Sequence, residues 1–233
     1  MSYRSPDRRA ITPQGRGKFT GYDVLDQTAY WDDVTAGVVL ARLAPTSDLA
    51  FFTATENGVV SALFDLLLAQ DREPKIPVVA LVDARLAAGE TDGWHYDDMP
   101  PDPEAWRQTL AFLDSDARER TGQPFALLTR EQQAPLVQDV NEADRWHGLP
   151  GKQVWSLWTR YACSAFYSHP WAWNEIGFGG PAYPRGYKNS GLDAREPWEV
   201  ADTDATDPVP FARRVEKAHT NHADLAGRAP GES

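Results

Sequence analysis

Apolar positions recur at helical spacing through much of the chain. The run from Thr53 to Gln70 repeats them every three or four residues, which predicts a central helix with a wide apolar face. A second, longer series lies within 151–170 and stops before Pro170, because a proline disfavours helical backbone in the residue before it. The positions concerned are Val59, Val60, Leu63, Phe64 and Leu67 in the first helix, and Val154, Leu157, Trp158, Tyr161, Ala162 and Ala165 in the second.

Four further helices are predicted from start and stop signals. One begins near Asp32, another lies within 77–90 and a third spans 103–120. A fourth begins after Thr129, with Gln132 at the position that completes a capping box. The letters VVALV within 77–90 also fit a buried strand, but the length of the run favours a helix.

These elements predict one all-α domain of about five or six helices. The domain is expected to span 21–200, between a flexible basic tail at 1–20 and an acidic or mixed C-terminal tail at 201–233. Strand signals are scarce and no internal repeat is visible. The length of 233 residues fits a single domain with such tails.

The last part of the predicted domain, residues 168–198, is expected to be a long irregular segment. Between Ser168 and Asn189 aromatic residues alternate with glycines and prolines, a composition that fits neither a regular helix nor a long strand. Tryptophans are concentrated in 146–198, and the segment is slightly basic in an otherwise acidic chain. Such a segment can pack on its own helical core or dock on another protein, because aromatic residues and arginine are enriched at interfaces.

Charge and hydropathy argue against several classes of protein. The net charge of −11 disfavours binding to nucleic acid or to anionic membranes. No run approaches 18 consecutive apolar residues, so no transmembrane helix and no direct membrane insertion are expected. Arg8 and Arg9 are not followed by the apolar stretch that a twin-arginine export signal needs, so these signals predict a cytoplasmic protein.

The sequence contains only weak candidates for a catalytic, metal-binding or phosphate-binding motif. The glycines of 177–186 follow a helix and are interrupted by prolines, whereas a phosphate-binding loop needs a preceding strand. His219 and His222 are spaced like a pair of metal ligands, although a solvated helix face is the favoured interpretation. His169 could be a catalytic base, but a structural histidine is favoured, and Cys163 is expected to be a small buried filler.

Three stretches resemble one known family. They are FFTATENGVVSALFDLLLAQD, FALLTREQQAPLV and ACSAFYSHPWAWNEIGFGGPAYPRGY. Together they are similar to the gluconate 2-dehydrogenase subunit 3 family, the small γ subunits of membrane-associated, FAD-dependent sugar and polyol dehydrogenases. The family's aromatic-x-x-Pro step, its glycines and its final aromatic–proline turn fall on Phe166, Tyr167, Pro170, Gly177, Gly179, Gly180, Tyr183 and Pro184.

The resemblance implies an accessory subunit that is not catalytic by itself. It implies a large partner of the glucose–methanol–choline type, which would hold FAD and the catalytic histidine, and it implies no cofactor or metal in this chain. The small subunit would support folding, stability and assembly of the large one. Exported family members have a twin-arginine signal, so export of this chain would depend on a signal in the partner.

The resemblance and the residue pattern together predict an interface on the aromatic segment, in which Arg185 pairs with a carboxylate of the partner. The residues expected there are Trp171, Trp173, Asn174, Phe178, Gly179, Gly180, Tyr183, Pro184, Arg185 and Tyr187. Two other functions stay open from the residues alone. One is a carbohydrate-binding module that stacks exposed tryptophans on sugar rings, and the other is an enzyme that uses His169 with a carboxylate such as Glu175.

Overall fold

The computed structural model describes the following residues: 12, 22–43, 48–184 and 186. Apart from Thr12, the predicted tails at 1–20 and 201–233 lie outside the described residues, and so do the predicted interface residues Arg185 and Tyr187.

Helices dominate the described residues, as the apolar spacing predicts. In chain order the α-helices are α1 (Asp33–Ala41), α2 (Ala54–Leu67), α3 (Val78–Ala87), α4 (Asp102–Thr121), α5 (Arg130–Glu142), α6 (Gly151–Tyr167) and α7 (Pro170–Ile176). Two 3-10 helices, Val24–Tyr30 and Phe125–Leu127, and an antiparallel pair of two-residue strands, β1 (Arg145–Trp146) and β2 (Leu149–Pro150), complete the set. The all-α fold class is confirmed, and the VVALV run forms part of α3 rather than a strand.

Side chains fix the starts of two helices, and the sequence predicts one of them, the capping box at Thr129. Before α2, Glu56 N–H donates to Thr53 Oγ1 at 3.3 Å, and Thr53 N–H donates to Glu56 Oε2 at 2.8 Å. Before α5, Thr129 N–H donates to Gln132 Oε1 at 3.0 Å. These reciprocal bonds satisfy backbone donors that a helix start would otherwise leave without partners, so both capping boxes help to set where the helices begin.

The main core lies between α2, α3, α4, α5 and α6. Trp106 of α4 is fully buried there, and its ring centroid lies 5.6 Å from those of Phe64 and Tyr161, in edge-to-face contact with both. Trp158 of α6 is also fully buried, and its indole N–H donates to Thr109 Oγ1 at 3.1 Å. Part of the tryptophan enrichment in the second half of the chain therefore fills the protein's own core.

A smaller second core lies apart from the main one. Its buried members are Val24, Leu25, Trp31, Val39 and Trp173. Four of these come from residues 22–43, which we call the N-terminal module, and the fifth comes from α7. The module therefore packs on α7, which is part of the aromatic segment that the sequence analysis assigns to an interface with another protein.

The structure corrects the expectation that the whole aromatic segment is irregular. Residues Pro170–Ile176 form α7, with His169 as its N-cap and Gly177 in the left-handed conformation at its C-terminal end. Proline is favoured at the first helical position, since its missing N–H has no intrahelical acceptor there, and glycine is favoured just beyond the end. Among the described residues, no helix combines the length and the apolar character needed to cross a bilayer.

Candidate functional site

His169 is a buried structural residue in the described structure. Its side chain has no solvent exposure, and its Nδ1 accepts the N–H of Trp171 at 3.2 Å, which caps the start of α7. Burial lowers the pKa of His169 to about 4, a hydrogen bond with the Arg42 backbone opposes this, and the nearby Arg42 charge lowers the pKa further. A neutral imidazole that is buried and used as a helix cap is poorly placed to take a proton from a substrate.

Trp173 faces the interior, although the sequence placed it in the predicted interface. It is 5% exposed, it belongs to the second core, and its indole N–H donates to the carbonyl of Tyr167 at 2.6 Å. The guanidinium carbon of Arg42 lies 5.8 Å from the centre of its ring. Trp173 is therefore a core residue of this chain and not an exposed ring, and its role in an interface stays a prediction.

Asn174 is likewise buried and links α7 to the N-terminal module. Its Oδ1 accepts the N–H of Val24 at 2.7 Å, and its amide nitrogen donates to Asp23 Oδ1 at 3.2 Å. A buried side-chain amide that pairs with backbone in this way fixes the relative placement of two segments, because loss of the partner leaves a buried donor unsatisfied. Asn174 is therefore a buried link within this chain, and its role in an interface stays a prediction.

Gly180 is buried because the module closes over it. Its φ is +75°, and an added Cβ would lie 2.5 Å from the ring of Trp31. The indole N–H of Trp31 donates to the carbonyl of Pro181 at 2.9 Å, so ring and backbone are joined at the same point. Only glycine allows this close approach with this backbone conformation.

The remaining predicted interface side chains of the described segment are exposed or half-buried. Phe178 is 42% exposed and Tyr183 is 65% exposed, while Trp171 is half-buried and Pro184 is exposed. Two exposed residues that the sequence prediction missed join them, Tyr167 at 50% and Ile176 at 50%. We call the exposed set Tyr167, Ile176, Phe178 and Tyr183 the aromatic surface.

The aromatic surface rests on a fixed support. The Phe178 ring packs edge-to-face on the buried Trp173 with centroids 5.4 Å apart, and Tyr167 supplies the carbonyl that Trp173 binds. Arg42 donates to the carbonyl of Ser168 at 2.7 Å, and burial lowers the pKa of its guanidinium. The surface is therefore made of uncharged rings and aliphatic groups that are held by buried contacts beneath them.

A second concentration of charged and polar side chains lies under the 88–101 loop. The hydroxyl of Tyr161 donates to Asp102 at 2.7 Å, and burial together with this bond raises the pKa of Tyr161. Arg160 and Arg85 both pair with Asp92, and Arg160 also packs 5.0 Å from the ring centre of Trp94. These contacts anchor the loop on α3 and α6, which gives the cluster a structural role.

The structure tests the prediction for Cys163 but not the one for His219 and His222. Cys163 is exposed, so the expectation of a buried filler is wrong, and partial desolvation raises the pKa of its thiol, which keeps it protonated at neutral pH. His219 and His222 lie outside the described residues. Within the described residues, no group of three or more His, Cys, Asp or Glu side chains could hold a metal ion.

Comparison with known proteins places the chain in a family. The sequence model of gluconate 2-dehydrogenase subunit 3 matches residues 54–180, which is more than half of the 233 residues. No curated protein and no solved structure matches the chain. The match runs from the start of α2 to Gly180, so it includes the main core, α7 and part of the aromatic surface. The chain belongs to the gluconate 2-dehydrogenase subunit 3 family, whose name implies a multi-subunit dehydrogenase.

Proposed function

We propose that this chain is the non-catalytic small subunit of an FAD-dependent sugar or polyol oxidoreductase. In this proposal it supports the folding, stability and assembly of a large flavoprotein subunit of the glucose–methanol–choline type. FAD belongs to that large subunit, and this chain contributes no cofactor ligand. The observation that supports the proposal most strongly is the aromatic surface on a member of a dehydrogenase small-subunit family.

The chemistry of the aromatic surface suits a protein partner. Rigid rings bury a large area at small cost in side-chain entropy, and tyrosine is among the residues enriched at interface hot spots. The buried caps and hydrogen bonds of α7 hold the backbone of this surface before any partner binds. An interface of this kind does not need the chain to hold a catalytic group.

The described geometry does not favour the other two functions. A carbohydrate-binding module needs open indole faces, whereas Trp173 is 5% exposed and Trp171 is half-buried. Trp94 is 50% exposed, but the Arg160 guanidinium lies 5.0 Å from its ring centre and Tyr96 packs against it at 5.3 Å. An enzyme built on His169 needs an accessible imidazole, whereas that ring has no exposed surface and caps a helix.

Co-expression with a candidate large flavoprotein of the glucose–methanol–choline type tests the proposal. We expect the two proteins to co-purify, and we expect the flavoprotein to be less soluble and less active when it is expressed alone. A flavoprotein that is soluble and fully active alone, and that never associates with this chain, would contradict the proposal.

Surface variants locate the contact. Phe178→Ala and Tyr183→Ala remove exposed rings, so the fold should persist while affinity for the flavoprotein falls about tenfold or more. Leu127→Ala is the matched control, because Leu127 is 71% exposed and lies in the short 3-10 helix before α5, outside the aromatic surface. Equal affinities for all three variants and the wild type would place the contact elsewhere.

A further inference from the structure

Helix α1 is apolar on both of its faces. Val39 is buried in the second core, and Ala36, Leu40 and Leu43 pack beside it. The opposite face presents Val34 at 75% exposure and Val38 at 54% exposure, together with two small exposed residues. We call this exposed set Val34, Gly37, Val38 and Ala41 the outer stripe.

A helix of this composition is unusual for a solvent-facing position. Surface helices normally place charged or polar residues opposite the core, and a helix that is apolar all round is normally covered on all sides. The exposed charge on α1 is Asp33 in the first turn, where a carboxylate is favoured by the helix dipole. Tyr30, 56% exposed and just before α1, extends the apolar area.

Charge argues against a membrane surface as the cover. Interfacial helices attach to anionic lipids through lysine and arginine on their polar face. Here the first turn of α1 contains Asp33 after the acidic N-cap Asp32, and Arg42 at the other end donates inward to the carbonyl of Ser168. No positive charge of α1 is therefore available to lipid head groups.

The segment that contains the outer stripe is hydrogen-bonded to the segment that contains the aromatic surface. The hydroxyl of Tyr22 donates to the carbonyl of Phe178 at 3.2 Å, and the indole N–H of Trp31 donates to the carbonyl of Pro181 at 2.9 Å. The N-terminal module, residues 22–43, precedes the 54–180 match to the family. The module is thus a segment outside the matched range that hydrogen-bonds directly to the backbone of the aromatic surface.

Size indicates what kind of contact the stripe can make. A nine-residue helix is about 14 Å long and about 10 Å wide, a footprint of about 140 Å². A stable interface buries about 800 Å² on each partner, so the stripe alone would not hold a second copy of this chain. It suits a partner that covers the stripe and the aromatic surface together.

From these observations we infer that the outer stripe is a second contact site for the large dehydrogenase subunit. The inference rests on the proposed function, and it adds that the module widens the interface beyond the part shared by the family. The partner would present an uncharged, apolar patch to Val34 and Val38.

A charge-neutral double variant tests the inference. Val34→Asp with Val38→Lys places an acid in the first turn and creates an i, i+4 pair, so α1 should remain folded. The matched control, Ala111→Asp with Ser115→Lys, makes the same changes on the exposed face of α4. Each protein is co-expressed with the large flavoprotein, and affinity is measured on the purified full-length chain by biolayer interferometry after circular dichroism confirms the fold.

We expect the α1 variant to bind at least tenfold more weakly and the α4 control to bind like the wild type. Wild-type affinity in the α1 variant, with loss in Phe178→Ala, would overturn this inference and leave the proposed function intact. No binding by the wild type would overturn both. A free chain that is dimeric by light scattering, and monomeric in the α1 variant, would assign the stripe to a second copy and overturn the inference.

Discussion

The two cores of this chain differ in size, in how much of each lies within the family match, and in the side chains that they leave exposed. The main core joins five helices and falls largely within the family match, and its rings are covered by neighbouring helices. The second core has five buried residues, draws four of them from the N-terminal module, and leaves apolar side chains exposed on both α1 and the aromatic surface. The first core therefore covers its own rings, whereas the second leaves exposed the surface that we propose as the contact with another protein.

Truncation of one buried tryptophan in each core should separate these roles. Trp106→Ala is expected to lower the free energy of unfolding of the whole domain by about 3–5 kcal/mol, because it leaves a large cavity among three rings. Trp173→Ala should instead release the module. Native-state hydrogen exchange would show faster exchange in α1 with α2 and α4 still protected. Equal loss of protection in all three helices would contradict the division into two cores.

Acidification should weaken the second core through His169. Its pKa of about 4 lies below the usual value of 6.5, so stability is complete above pH 6.5 and falls as pH drops towards 4, because the unfolded chain takes up the proton first. The loss should reach at most about 3 kcal/mol. His169→Asn keeps a cap acceptor and removes the titration, so its urea midpoint should fall less between pH 7.5 and 4.5. An equal fall of the urea midpoint in the wild type and in His169→Asn would show that His169 does not cause the loss of stability.

Removal of the amide at Asn174 should loosen the link between α7 and the module. Asn174→Ala leaves the buried N–H of Val24 without its acceptor and should cost about 1–3 kcal/mol. Gln138→Ala is the control, since that amide bonds only Glu142 on the surface of α5, and it should change stability by less than about 0.5 kcal/mol. Urea unfolding gives both values, and similar costs for the two variants would show that the link is not a buried constraint.

Two glycines with nearly the same φ distinguish backbone strain from the close approach of Trp31. Gly122→Ala, at φ +74° with open space around it, should cost about 1–2 kcal/mol from strain alone. Gly180→Ala, at φ +75°, should cost more, because its new methyl group meets the Trp31 ring. Displacement of the Trp31 ring should also alter the tryptophan fluorescence of the Gly180 variant, and urea unfolding gives both costs. Equal costs and unchanged fluorescence would mean that the module does not close over Gly180.

The helices of the main core could be predicted from the sequence because their signals are local. Apolar spacing marked α2 and α6, and the Thr129 box marked the start of α5. Helix α7 has local signals as well, in Pro170 and Gly177, but its aromatic and glycine content pointed to irregular structure. The cap residues were the better guide there, because a helix of seven residues has little room for periodicity.

The second core could not be predicted in the same way. Its contacts join Val24 with Asn174 and Trp31 with Pro181, pairs that are 150 residues apart in the sequence. Which rings of the aromatic segment are buried depends on where the module packs, and no spacing within either segment encodes that placement. Trp173 and Phe178 are therefore similar in sequence terms and opposite in exposure.

Whether the large flavoprotein covers both apolar surfaces can be measured by hydrogen–deuterium exchange on the chain alone and in its purified complex. We expect slower exchange in the complex for peptides covering 176–184 and 33–42. We expect unchanged exchange for 92–99, where Trp94 and Tyr96 form a separate exposed pair. Protection confined to 92–99, with 176–184 unchanged, would show that the partner binds elsewhere and would contradict the proposed interface.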